Sequence, residues 1–133
     1  MAPGLLLDTH ILINWLFQPK RLSREQRRVI EAAASKSETL TIAATTLLEV
    51  AILVTDGDLV LKSTLAEFLH WLEDNPAIHI LPLSASVAIE AGAIVHLRDP
   101  ADRVIAATAR VHGLRLLTSD HRIIDSNLVS TIE

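Results

Sequence analysis

Four carboxylates stand inside or at the ends of aliphatic segments, where an apolar core tolerates them poorly. They are distributed along the whole chain: Asp8, Glu49, Asp102 and Asp120. A buried carboxylate is costly unless it is hydrogen-bonded, paired with a cation or bound to a metal. Because four separate segments each carry one, we predict that the fold brings them together at a single site. A ligand set made only of oxygens suits Mg²⁺ or Mn²⁺.

The composition indicates one domain with an aliphatic core. Of 133 residues, 50% are hydrophobic and only 3% are aromatic, and we predict a single domain over residues 1–133. There are no cysteines, which excludes disulfides and thiolate metal sites and is compatible with a reducing cytosol. No targeting or membrane-spanning segment is evident. We therefore predict a cytoplasmic protein that does not contact a membrane.

The basic residues are grouped although the chain as a whole is acidic. The formal net charge of −4 does not indicate a nucleic-acid binder. Basic residues are nevertheless concentrated in residues 20–28 and again from Arg98 to Arg122. Each group is either a phosphate-binding surface or a solvated helix face, and the pattern leaves both explanations open.

Short aliphatic runs alternate with segments of helical periodicity. Strands are predicted at residues 4–7, 38–43, 78–83, 114–118 and 128–132. Helices are predicted at residues 9–17, from 23, from 45 or 46 to 55, from 58 or 59 to 73, 84–96 and 100–113, with a helical turn at 120–125. This alternation indicates βα units and an α/β fold around a mainly parallel sheet of about four to five strands.

The four carboxylates are expected at one edge of that sheet. Asp8 ends the first predicted strand, and Asp120 lies just beyond a late one. Glu49 and Asp102 lie in the first turns of helices whose N-termini should reach the same edge. Ligands of open parallel sheets bind beyond the carboxyl ends of the strands, and helix N-termini favour negative charge. The predicted placement therefore allows all four side chains to meet.

Helix capping is the alternative explanation for each position taken singly. Glu49 can close a capping box with Thr46. Asp99 can cap the helix that begins at the next residue, and Asp120 can cap the turn that follows it. Asp8 is the hardest to explain in this way, because the residue after it could cap the helix instead.

The segments that carry the carboxylates also contain recognisable motifs. They read Leu-Leu-Leu-Asp-Thr-His at 5–10, a Glu in the helix opened at 45–46, His-Leu-Arg-Asp-Pro-Ala-Asp-Arg at 96–103, Ile-Ala-Ala at 105–107 and Leu-Thr-Ser-Asp at 117–120. In order and spacing they resemble a PIN domain, and more narrowly the VapC toxins of bacterial toxin–antitoxin pairs. The resemblance covers nearly the whole chain and implies a PIN-like, three-layer α/β/α fold.

The resemblance implies an endoribonuclease that hydrolyses RNA phosphodiester bonds with Mg²⁺ or Mn²⁺. The catalytic and metal-binding quartet of the family falls on Asp8, Glu49, Asp102 and Asp120. Supporting or substrate-contacting positions fall on Asp99, Thr9, Thr118, Ser119 and Arg103. The basic residues near this site are candidates for phosphate contacts: Arg98, Arg103 and Arg122. Arg103 could equally pair with a neighbouring carboxylate.

The resemblance also implies partners. Toxins of this kind bind a cognate, VapB-like antitoxin, commonly as homodimers that form heterotetramers or larger assemblies with it. Several large apolar residues either exceed the needs of one small core or belong to it: Trp15, Phe17, Leu47, Leu48 and Ile52.

Three other functions are the alternatives for a chain of this kind. They are a housekeeping RNA-processing nuclease of the same family, a catalytically silent interaction module and a receiver-like signalling domain. A receiver-like domain would need a late lysine, and no lysine follows Lys62.

Overall fold

The computed structural model describes residues 4–133, in which five strands alternate with seven α-helices. The elements are β1 (Leu5–Leu7), α1 (Thr9–Phe17), α2 (Arg24–Ser35), β2 (Leu40–Ala43), α3 (Ala44–Thr55), α4 (Leu65–Asp74), β3 (Ile78–Leu81), α5 (Ala85–Ala93), α6 (Pro100–His112), β4 (Arg115–Leu117), α7 (His121–Ile124) and β5 (Thr131–Ile132). None of the helices in this part of the chain combines the length and apolarity needed to span a lipid bilayer.

The strands form one sheet, and every pairing in it is parallel. Their order is β3-β2-β1-β4-β5, so β1 lies at the centre, with Leu6 opposite Thr41 of β2 and Leu116 of β4. A central parallel strand is buried on both faces, which explains why β1 is an unbroken run of leucines. The predicted parallel sheet of four to five strands is confirmed.

Alternation of side chains along the central strands divides the core into two layers. Leu7 and Leu117 pack in the cluster formed with helices α1 to α4. Leu6 and Leu116 pack in the cluster formed with α5 and α6. Helices therefore cover both faces of the sheet, and the predicted three-layer α/β/α fold is confirmed.

Several predicted element boundaries are wrong, and two of them have a local cause. Helix α4 begins at Leu65 instead of residue 58 or 59, because Thr64 and Glu67 form a capping box that fixes its start. Strand β3 ends at Leu81 instead of residue 83, since Pro82 has no N–H to donate to a neighbouring strand. Helix α5 ends at Ala93 and strand β5 is limited to residues 131–132.

Candidate active site

A cleft of about 340 Å³ lies at the carboxyl edge of the sheet, beside the ends of β1 and β4. It is lined by Asp8, His10, Ile11, Asn14, Glu49, Asp99, Asp102, Ser119, Asp120 and Arg122. The four carboxylates that were predicted to meet therefore face one cleft, with Asp99 as a fifth. This follows from the parallel sheet, which brings the ends of separate strands to a common edge.

Asp8 is held by two donors from different elements. It follows β1 directly, is 8% exposed, and caps α1 by accepting a hydrogen bond from the backbone N–H of Thr9 at 2.7 Å. Its other oxygen accepts from the hydroxyl of Thr118 at 2.7 Å. Burial raises the pKa of Asp8, and the two hydrogen bonds oppose that shift. Capping and a place in the cleft are thus compatible roles for this side chain.

Glu49 lines the cleft from the second turn of α3 and not from the first, because the helix starts earlier than predicted. The helix begins at Ala44, directly after β2, and has no side-chain cap. The predicted cap at Thr45 or Thr46 is therefore wrong, and so is the capping box with Glu49. Glu49 contacts α1 and not the N-terminus of its own helix: its Oε1 lies 2.6 Å from the hydroxyl of Thr9.

Thr9 and Thr46 form a hydroxyl relay to this carboxylate. Their hydroxyl oxygens are 2.9 Å apart, and both residues are completely buried. An ionised carboxylate can only accept, so Thr9 gives its single hydroxyl proton to Glu49, and Thr46 must donate to Thr9. Burial raises the pKa of Glu49, the Thr9 hydrogen bond opposes this, and repulsion from Asp8 adds to it.

Asp99 and Asp102 lie at the start of α6 and have different environments. Asp99 caps the helix by accepting from the backbone N–H groups of Ala101 at 2.8 Å and Asp102 at 3.4 Å, so the predicted capping role is confirmed. The side chain of Asp102 is 14% exposed. Burial first, and then repulsion from Asp99 and Asp120, raise its pKa to about 6.

Asp120 is paired with an arginine two residues later. It caps α7 by accepting from the backbone N–H of Arg122 at 2.9 Å, which confirms the predicted cap. The guanidinium of Arg122 also donates to both carboxylate oxygens, at 3.1 Å and 2.8 Å, and lies 3.5 Å from Asp102. This pairing is the main cause of the lowered pKa of Asp120.

Of two predicted supporting residues, Ser119 lines the cleft and Arg103 does not. The Nε of Arg103 donates to the carbonyl of Leu97, ahead of α6. Within residues 4–133 Arg103 makes no ion pair, so the alternative that it pairs with a neighbouring carboxylate is wrong.

Sequence reasoning missed Gln26, a completely buried residue of α2. Its Nε2 lies 3.2 Å from the hydroxyl of Ser119 and 3.3 to 3.4 Å from the carbonyls of Ile132 and Thr118. Its Oε1 accepts from the backbone N–H of Ser23. The only signal in the sequence was a Ser-x-x-Gln capping box, which says nothing about contacts with distant strands.

The donor chemistry of the cleft fits a hard divalent cation. Five carboxylates line the cleft, and three of them, Asp8, Glu49 and Asp102, have raised pKa values that a bound cation would counteract. As they stand in residues 4–133, no three Asp, Glu or His side chains are disposed to enclose an ion. The guanidinium of Arg122 lies instead against two of the carboxylates.

The sequence matches a known family over most of its length. The family model described as PIN domain matches residues 5–126. The chain belongs to the PIN domain family. Ribonuclease VapC22 of Mycobacterium tuberculosis is 35% identical to this PIN domain over 120 residues, which are 89% of this chain and 88% of that protein. The predicted resemblance to the VapC group is thereby confirmed.

Solved structures of similar fold cover nearly the whole chain. A toxin–antitoxin complex from Klebsiella pneumoniae contains a chain with a TM-score of 0.69 at 21% identity, covering 98% of this PIN domain and 97% of that chain. FitAcB from Neisseria gonorrhoeae gives a TM-score of 0.60 at 28% identity, with 97% and 96% covered.

Proposed function

We propose that the protein is a Mg²⁺- or Mn²⁺-dependent endoribonuclease, a VapC-like toxin that acts in the cytoplasm as one domain and is inhibited by a cognate VapB-like antitoxin. The observation that carries the proposal is the convergence of Asp8, Glu49, Asp102 and Asp120 on one cleft. Three of these carboxylates have pKa values raised chiefly by burial and also by repulsion from other carboxylates, so a bound cation would stabilise their ionised forms.

Some of the carboxylates would bind the cation directly, and the others would act through water. Asp8 is fixed by Thr9 and Thr118 and so offers a rigid position. Glu49 is oriented through the Thr9 hydroxyl. Mg²⁺ in proteins usually keeps several waters and takes few carboxylates directly, so the remaining acidic groups would act through water. When bound, the cation would lower the pKa of a coordinated water and offset charge on the scissile phosphate.

The relatives support ribonuclease activity and an antitoxin partner. VapC22 is named a ribonuclease, and a structure with the same fold is a toxin–antitoxin complex. Arg98 and Arg122 are exposed and carry the positive charge that an RNA backbone requires. Affinity for RNA should therefore fall as the salt concentration rises.

A homodimer is the oligomeric state that we propose. Leu48 and Ile52 of α3 are 61% and 49% exposed, and Phe17 of α1 is 43% exposed. Burial of these three apolar side chains against a second copy of the chain would be favourable. Trp15 and Leu47 pack against the core and are explained by it. Changing Leu48 and Ile52 together to Glu should give a monomer in analytical ultracentrifugation, whereas an unchanged dimer would place the interface elsewhere.

The decisive test is cleavage of total cellular RNA by the purified protein. Reactions would contain Mg²⁺, Mn²⁺ or excess EDTA, and Asp8→Asn would be prepared in the same way to detect contaminating nucleases. Asp125→Asn, an exposed carboxylate outside the cleft, is the matched control. We expect cuts that need the metal, disappear with Asp8→Asn and remain with Asp125→Asn.

Two results would contradict the proposal. Cleavage that Asp8→Asn leaves intact would come from a contaminant or from another site. A folded, antitoxin-free protein that cuts no RNA with either metal would favour the silent interaction module. Mapping the ends of authentic cuts would identify the target RNA.

A further inference from the structure

The contact between Arg122 and the acidic cleft has the form of a bound cation. Its guanidinium binds both oxygens of Asp120 and extends to Asp102. Planar guanidinium groups suit this two-oxygen geometry. Asp102 and Asp120 repel one another, and Arg122 is the residue whose positive charge lies against both.

The side chain of Arg122 is exposed and makes few contacts. The Arg122 side chain is 71% exposed, and within residues 4–133 its guanidinium bonds only to these two carboxylates. Exposed ion pairs contribute little to stability, because solvent screens them and long side chains lose entropy. A divalent cation carries twice the charge and can compete for the same oxygens.

We propose that Arg122 is a built-in competitor of the divalent cation, which occupies Asp120 and Asp102 in the metal-free protein and is displaced when the metal binds. This inference rests on the proposed function and adds a means of regulating it. The displaced guanidinium stays at the rim of the cleft, attached to α7, where it can bind an RNA phosphate. Metal binding would thus both assemble the acidic site and release a phosphate-binding group.

The geometry explains why the cluster does not yet enclose an ion. Both oxygens of Asp120 point to the guanidinium, and one oxygen of Asp102 faces the same group. Asp8 and Glu49 are instead held by hydroxyl and amide donors. A metal that binds all four predicted ligands would therefore have to displace Arg122 from two of them, Asp102 and Asp120.

Mn²⁺ binding without RNA tests the competition directly. Free Mn²⁺ would be measured by electron paramagnetic resonance during titration of the wild type, Arg122→Gln and Arg122→Lys. We expect Arg122→Gln to bind Mn²⁺ about tenfold more tightly, which corresponds to about 1.4 kcal/mol. Arg122→Lys keeps the charge but loses the two-pronged contact, so its affinity should lie between the two.

Arg28→Gln is the matched control. Arg28 makes a two-pronged pair with Glu25 on the exposed face of α2, with 65% of its side chain exposed, and it does not line the cleft. It loses the same charge and the same kind of contact, so its Mn²⁺ affinity should stay within about twofold of the wild type.

Displacement has a second readout that does not depend on affinity. The Nε–H resonance of Arg122 in ¹⁵N-labelled protein, assigned by its absence from Arg122→Gln, should move towards the position of a free arginine when Mg²⁺ is added. A resonance that keeps its position while Mg²⁺ binds would overturn the inference.

The outcomes separate this inference from the proposed function. Equal or weaker Mn²⁺ binding by Arg122→Gln, with clear binding by the wild type, overturns the competition and leaves the metal site standing. Absence of binding by the wild type and by Arg122→Gln alike overturns both. Tighter binding by Arg122→Gln and not by Arg28→Gln supports both.

Discussion

The hydroxyl of Thr118 donates to Asp8 at 2.7 Å, although the two residues are 110 positions apart in the sequence. Both are buried. The same hydroxyl oxygen accepts from the backbone N–H of Asp120 at 3.1 Å. One side chain of the β4 end therefore joins two carboxylate-bearing segments of the cleft.

We expect Thr118→Val to destabilise the protein by about 2 kcal/mol, because it leaves Asp8 and the Asp120 N–H with unmet hydrogen bonds while keeping the shape of the side chain. Thr108→Val is the control, since Thr108 is equally buried and, among the described residues, its hydroxyl bonds only to the carbonyl of Val104 in its own helix. Urea unfolding measures both. Equal effects of the two changes would show that the Asp8 contact has no special weight.

Replacing Asp102 by Asn should change how stability depends on pH. Its pKa is raised from 3.8 to about 6 in the folded protein, so its contribution to stability is complete below 3.8 and is lost as pH rises through about 6. In EDTA at neutral pH, Asp102→Asn should therefore be more stable than the wild type by about 1 kcal/mol after allowance for solvent screening. The difference should vanish towards about pH 4.

Asp120→Asn should change the free energy of unfolding in the opposite direction. The pKa of Asp120 is lowered, chiefly by Arg122, so its contribution is present above the ordinary pKa and is lost as pH falls through the folded value. This variant should be less stable than the wild type at neutral pH. Urea unfolding over a pH series measures both, and pH-independent differences for the two variants would contradict this account.

The hydroxyl relay should affect metal binding as well as stability. Removing a group that orients a metal ligand typically lowers affinity 10- to 100-fold, and we expect Thr9→Val to weaken Mn²⁺ binding by about tenfold. Thr45→Val is the neighbouring control, since within residues 4–133 it is Thr9 and not Thr45 that donates to Glu49. Calorimetric titration would decide, and an unchanged affinity in Thr9→Val would mean that Glu49 needs no orientation by α1.

Gln26 should be one of the most sensitive polar positions of the chain. Gln26→Leu has a similar volume but removes the donor to Ser119, Thr118 and Ile132, and we expect a loss of about 3 kcal/mol in the free energy of unfolding. Gln18→Leu, at an exposed position after α1, should change it by less than about 0.5 kcal/mol. Similar losses for the two would refute the buried network.

The fold was predictable because its signals are local. Unbroken leucine runs mark strands buried on two faces, and the Asp99-Pro100 start and Gly113, with its positive φ of 64°, mark the two ends of α6. The start predicted for α4 failed because of tertiary context. Leu59 and Leu61 pack against the core from an irregular segment, so their apolar spacing imitates an extension of α4.

The membership of the cleft was predictable, whereas its internal contacts were not. Strand ends, and the helices that begin near them, place Asp8, Glu49, Asp102 and Asp120 at one edge of a parallel sheet. The donors to these carboxylates come from residues far away in the sequence, such as Thr118 for Asp8. The contact of the Arg122 guanidinium with both oxygens of Asp120 depends on the rotamer of Arg122, and no sequence pattern specifies that rotamer.

The pairing of β1 with β4 joins residues 5–7 to residues 115–117. Asp8 and its Thr118 donor are separated by 110 positions of chain, and Asp120 lies beyond Thr118. The acidic cleft can therefore assemble only after β1 and β4 have paired, and such long-range pairing forms slowly. A folding intermediate in which these two strands are still apart would have its acidic side chains divided between separate segments.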